Sequence, residues 1–112
     1  MDPCVFCRIA ASEIPSQKVW ESPAVFAFKD LNPQAPTHIL VVPKKHLGSL
    51  ADAKPQDQSL LGEVNYAAAE IAREKKLDSY RLVANTGAEA GQSVFHLHYH
   101  LLAGRTMAWP PG

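Results

Sequence analysis

Histidines stand at 96, 98 and 100 of the run FHLHYHLL, residues 95–102, three of the five in the chain. With a pKa near 6.5, an imidazole is mostly neutral at pH 7, so it can bind a metal, pass a proton or attack an electrophile. A single zinc on all three fails on distance. At ~3.4 Å per residue, positions 96 and 100 lie about 13 Å apart along a strand, whereas nitrogens on one zinc must come within about 3.5 Å. A pair spaced i,i+2 can chelate, but the full set cannot without a bulge. The remaining chemistry divides the group. His98, in the middle, is the natural nucleophile, and a neighbouring imidazole can donate to a phosphate or a leaving group.

Two further patterns carry chemistry. NTGAEAGQS, just before the histidines, holds Gly87 and Gly91, which permit bends that turn backbone N–H groups toward an anion, and then the hydroxyl of Ser93. The same residues also suit an ordinary surface turn. Cys4 and Cys7 form the chain's only CxxC pair, a spacing that suggests metal or redox chemistry in a reducing compartment.

The elements that must position these groups follow from periodicity. The alternation of residues 95–102 predicts a strand with the three imidazoles on one face and Phe95, Leu97, Tyr99 and Leu101 buried on the other. CVFCRIAASEI predicts a short helix ending near Pro15. KVWES and AVFAFKD, parted only by Ser22-Pro23, predict an antiparallel hairpin. THILVV, residues 37–42, is β-branched and apolar enough for a central strand stopping at Pro43. From Pro55 to Lys76, apolar residues at 60, 61, 64, 68, 71 and 72 mark one face of a long helix. RLVANT supplies a further strand. The expected architecture is α+β, a mainly antiparallel five-stranded sheet with one long and one short helix, in a single domain over 1–112.

Composition excludes several classes. Eleven Lys and Arg balance eleven Asp and Glu, which argues against an electrostatic grip on nucleic acid polymers or anionic membranes. No apolar run approaches the ~20 residues of a membrane span, and no basic-then-apolar leader opens the chain. A soluble, cytoplasmic protein is expected.

HLHYHLL also resembles the signature of the histidine-triad (HIT) family, and the chain resembles its Hint branch along nearly its whole length. The resemblance rests on FCRI, AFKDLNPQAPTHILVVPKKH, VANTG, GQSVFHLHYHLLAGR and the terminal WPPG. It implies a homodimer whose sheets join across the interface, binding purine nucleotides and hydrolysing adenosine 5′-phosphoramidates and related conjugates to AMP. His98 would form the nucleotidyl-histidine intermediate, His100 would contact the phosphate and leaving group, and Ser93 would assist that group. Asn85, Gly91 and Gln92 would line the phosphate side. Asp30 would accept from the ribose hydroxyls, and Val5, Phe6, Ile9, Phe28 and Leu31 would form the base slot. Some relatives carry zinc on a matching CxxC and two histidines, which implies a structural Zn2+ on Cys4, Cys7, His46 and His96 and no catalytic metal. The WPPG tail, with Trp109, would reach toward the partner's site. Two other readings stay open: a non-catalytic module binding nucleotides or proteins, and the family's dinucleoside polyphosphate hydrolases.

Overall fold

The structure, a computed structural model, describes residues 3–112. Its centre is β3 (Thr37–Pro43), whose Ile39 and Val41 face one way and whose His38, Leu40 and Val42 face the other. On one side β3 pairs with β2 (Val25–Lys29), which in turn pairs with β1 (Lys18–Glu21). On its other side lies β5 (Tyr99–Ala103), flanked by β4 (Arg81–Val83) at the edge. The order is β1-β2-β3-β5-β4, antiparallel throughout.

Each face of the sheet has its own core. The long helix α2 (Gln58–Glu74) covers one, burying Val64, Ala67, Ala68 and Ile71 against Val25, Ala27, Ile39, Val41, Leu97 and Leu101. A 3-10 turn at Pro55–Asp57 leads into it, and Lys76 ends it by taking a left-handed φ of 56°, with the Leu77 N–H donating back to the Ala72 carbonyl at 2.9 Å. The short helix α1 (Val5–Ala10) covers part of the other face, packing Phe6 and Ile9 on Phe26, Phe28, Leu40 and Val42.

Three expectations need correction. The helix expected over residues 4–14 ends at Ala10, because Ser12 turns left-handed (φ 62°) and the Glu13 N–H bonds the Arg8 carbonyl at 2.8 Å. The strand expected over 81–86 stops at Val83, whose partner in β5 is His100, one residue from the start of that strand. The histidine strand begins at Tyr99, not at 95. Its ladder with β3 ends at Val41↔Tyr99, just short of Pro43, which has no N–H to extend it. Residues 94–96 bend instead, and the Leu97 N–H finds the Leu47 carbonyl at 2.6 Å. Phe95 is therefore 56% exposed rather than buried. The imidazole face is in turn covered where α1 lies over it, with His96 0% and His98 7% exposed.

Candidate active site and metal centre

The bend before β5 separates the three imidazoles into two environments. His96 turns toward α1 and the loop after β3, while His100 points toward the β2–β3 loop, and His98 lies between them. The Phe6 ring stands edge-on to His98 with centroids 5.0 Å apart, and His98 lies 5.0 Å from His100 by the same measure.

Hydrogen bonds fix where the protons sit. A carbonyl only accepts, so the 2.8 Å contact from His98 Nδ1 to the His96 carbonyl places the proton on Nδ1 and leaves the Nε2 lone pair unprotonated. A second chain starts from the Gln34 backbone N–H, which donates to His38 Nδ1 at 3.0 Å. His38 Nε2 then carries the proton, and His100 Nδ1 lies 2.9 Å from it as the acceptor. That leaves the His100 proton on Nε2. Asp30 Oδ2 lies 3.4 Å from His38 Nε2, while its Oδ1 accepts from the Asn32 N–H at 2.7 Å. Burial lowers the His38 pKa against the opposing charge of Asp30. Burial, helped by His98 and His38 nearby, lowers that of His100 to about 4. Both rings are neutral at pH 7, so the tautomers describe the working state.

His96 belongs to a different group. Its Nε2–H donates to the Pro43 carbonyl at 2.8 Å, so its Nδ1 presents a lone pair. Around that atom lie Cys4 Sγ at 3.3 Å, Cys7 Sγ at 3.5 Å and His46 Nδ1 at 3.1 Å, with Cys7 Sγ 3.4 Å from His46 Nδ1. A tetrahedral zinc with bonds of ~2.0–2.3 Å requires ligand separations of about 3.3–3.8 Å. The four donors fit a closed N/S site. Their placement has local causes: Cys4 caps α1, its Sγ accepting from the Cys7 N–H at 3.4 Å, and Lys45 anchors the segment carrying His46 through a 2.7 Å ion pair to buried Asp57.

The other expected residues divide into core, rim and loop. Phe6, Ile9 and Phe28 are buried, with Phe6 and Phe28 edge-to-face at 5.5 Å, whereas Val5 is exposed and Leu31 is 96% exposed. In the loop after β4, Gly87 and Gly91 both take positive φ around a 3-10 turn at Ala88–Ala90. Asn85 lies against Gly91, its Nδ2 3.6 Å from where a Cβ would be, and Ser93 is exposed beside it. Gln92 differs from its expected role as a lining side chain. It is buried, accepting from the Gly87 N–H at 2.9 Å and donating to the Gly48 and Val94 carbonyls at 2.7 and 3.0 Å. It shapes the loop from inside.

His38 is the candidate site residue that sequence reading missed. Alternation in THILVV assigns it a face, but only the β3–β5 register makes it the diagonal neighbour of His100. A depression of about 230 Å³ reaches Asp30 and His38, while the larger one, about 730 Å³, lies at Lys76–Arg81 and Ala103–Met107 and includes none of the imidazoles.

An antiparallel sheet with a helix on one face and converging imidazoles on the other defines a histidine-centred α+β protein. Residues 11–107 match the HIT domain family, and the chain belongs to it. A HIT family hydrolase from Legionella pneumophila has a crystal structure that superposes with a TM-score of 0.95 at 46% identity, over 97% of this chain and 99% of that one. A histidine triad protein from Clostridium difficile gives 0.91 at 47% identity, covering 96% and 97%. A maize (Zea mays) protein described as a 14 kDa zinc-binding protein is 49% identical over 113 residues, covering 98% of this chain and 88% of its own length. Among the described residues, no helix is long and apolar enough to cross a membrane.

Proposed function

We propose that this chain is a nucleotidyl hydrolase that cleaves adenosine 5′-phosphoramidates and related AMP conjugates through a covalent intermediate on His98. One observation carries the reading: the hydrogen bonds leave an unprotonated Nε2 on His98 beside an imidazole, His100, whose own Nε2 is a donor. Similarity to the Legionella protein named a hydrolase supports the reaction class. The family resemblance supplies the purine nucleotide.

In this mechanism His98 Nε2 attacks the α-phosphorus and the bond to the leaving group breaks. The positive charge then developing on His98 is stabilised by its Nδ1–H bond to the His96 carbonyl. His100 Nε2–H and the Ser93 hydroxyl donate hydrogen bonds to the departing amine, which leaves carrying a proton taken up from solvent. Water, the second nucleophile, then displaces AMP from His98 and returns one proton to solvent. The Asn85 amide receives the phosphate charge, beside a loop whose Gly91 and Gln92 N–H groups are spent on the Ala88 and Gly87 carbonyls at 3.0 and 3.1 Å. Asp30 meets the ribose hydroxyls, and Val5 and Leu31 extend the Phe6, Ile9 and Phe28 surface over the base.

Cys4, Cys7, His46 and His96 would hold a zinc ion, which supplies a cross-link between α1 and the sheet and, with four protein ligands, offers no open position for water. The chain acts as one catalytic domain in a homodimer, a reading supported by the three-residue edge strand β4 and by Trp109, 83% exposed on a tail that Arg81 ties to that edge through the Ala108 carbonyl at 2.9 Å.

The test is incubation with adenosine 5′-phosphoramidate followed by mass spectrometry of acid-sensitive adducts on rapidly quenched protein. AMP release with a transient AMP adduct at His98 is expected. Nucleotide binding without turnover would instead make the chain a binding module.

A further inference from the structure

We propose that Arg105 is a positioning residue for the active site, acting through Gln34 on the protonation pattern of His38 and His100. The segment between β2 and β3 carries Asp30 at its start and leads into His38, the second residue of β3, but has no regular structure of its own. The Asp30 N–H closes the base of the loop on the His38 carbonyl at 3.0 Å, and four further hydrogen bonds order the rest. Arg105 Nε donates to the Gln34 carbonyl at 2.9 Å, and the Gln34 N–H donates to His38 Nδ1 at 3.0 Å. The Gln34 side chain donates to the Asn32 carbonyl at 3.1 Å, and the Asn32 N–H to Asp30 Oδ1 at 2.7 Å. Gln34 is the hub, and Arg105 is what grips it from outside the loop.

A second observation supports the first. β5 leaves the sheet at Gly104, which has a φ of 98°, and a Cβ on that glycine would lie only 2.8 Å from Cβ of Pro36. The chain after β5 is therefore pressed against the loop, and Arg105 is aimed by that contact. Its Nη1 also donates to the Thr106 carbonyl at 3.2 Å, which holds the guanidinium plane. Pro33 and Pro36, with fixed φ on either side of Gln34, carry the constraint along the loop.

The chemical consequence lies in the tautomers. As long as the Gln34 N–H occupies His38 Nδ1, the proton of His38 must sit on Nε2, and His100 is kept as a donor on Nε2. Release of Gln34 lets His38 exchange tautomers and opens its ring to water. The charged and titratable groups around His38 are Asp30 and His100 in contact, His98 beyond His100, and Lys29 and Lys75 lining the adjacent depression.

The experiment is long-range 1H–15N NMR of the imidazoles in Arg105→Ala, alongside kinetics on adenosine 5′-phosphoramidate. In wild type His38 should show a single Nε2–H tautomer; in Arg105→Ala it should show a mixture, with its pKa moved up toward the ordinary histidine value. kcat/KM should fall about fivefold, the scale of one lost hydrogen bond, with the thermal midpoint lowered by only a few degrees. Arg105→Lys keeps the charge but loses the fork and should behave like Arg105→Ala. Gly104→Ala, which displaces Pro36, should give the same His38 signature. A chain truncated after Thr106 keeps Arg105 and should give the wild-type spectrum. An unaltered His38 tautomer and pKa in Arg105→Ala would overturn the proposal. The rate effect rests on the hydrolase reading, but the NMR readout does not, so absence of turnover would fell that reading alone.

Discussion

Two histidine clusters lie within one sheet face, and they use the same side chain in opposite ways. Around His96 potential metal donors converge: two sulfurs and two Nδ1 atoms all within 4.8 Å of one another, the contacts of His96 Nδ1 being 3.1–3.5 Å. Around His100 they alternate, N–H to N to N–H to N, from Gln34 through His38. Converging lone pairs repel unless a cation sits among them, whereas an alternating chain is satisfied already and can relay polarisation. What an imidazole can do is set by what occupies its other nitrogen. The Pro43 carbonyl leaves the Nδ1 of His96 to face the cysteines; the His96 carbonyl leaves the Nε2 of His98 as the unprotonated nitrogen.

The largest effect is expected of His98→Ala. Loss of the nucleophile should lower turnover about a thousandfold or more while nucleotide affinity, measured by calorimetry with AMP, changes little. Full activity in that variant would mean direct attack by water. The converging cluster is broken by Cys4→Ser with Cys7→Ser. Elemental analysis should find about one zinc per chain in wild type and none in the variant, with the thermal midpoint lowered by about 10 °C and activity lowered less than tenfold. Equal zinc contents would remove the assignment.

Acid should distinguish the clusters more gently. His100 stays neutral down to about pH 4, chiefly through burial, while an unfolded chain protonates its histidines near 6.5. Between these values the unfolded state binds more protons. The contribution of His100 is therefore complete above about pH 6.5 and declines as pH falls toward 4. His38 acts in the same direction. Melting scans should show a steeper loss from pH 7 to 5 in wild type than in His100→Gln; parallel curves would refute it, and metal-linked losses cancel in the difference. Smallest is Ser93→Ala, expected to slow phosphoramidates by about tenfold or less and AMP esters of acidic phenols scarcely at all.

The long helix was legible because its apolar positions repeat over many turns, and α2 buries that same face. The start of β5 was not. Alternation persists in FHLHYH whether or not a partner strand is present, since it records faces rather than pairing, and the ladder stops where Pro43 lacks a donor. The catalytic candidate His98 and the CxxC could be read as residue types at fixed spacing. The approach of His38 to His100 could not, because it depends on a register between segments 62 positions apart. Gln92 was misplaced for a related reason: the motif fixes its position but not which way its amide turns.

The cluster of Cys4, Cys7, His46 and His96 also implies an order of assembly. Cys4 and His96 are 92 positions apart, and Cys7 and His46 are 39 apart, so the cluster closes a loop spanning most of the chain. A helix as short as α1 does not persist on its own. Its residues must wait, unstructured, until the strands that carry their partners have joined, because such distant contacts form late. Refolding without metal should therefore build the sheet and α2 at an undiminished rate, with backbone amides of α1 remaining the fastest to exchange until zinc is added. On this order of events a zinc ion would close the molecule rather than nucleate it.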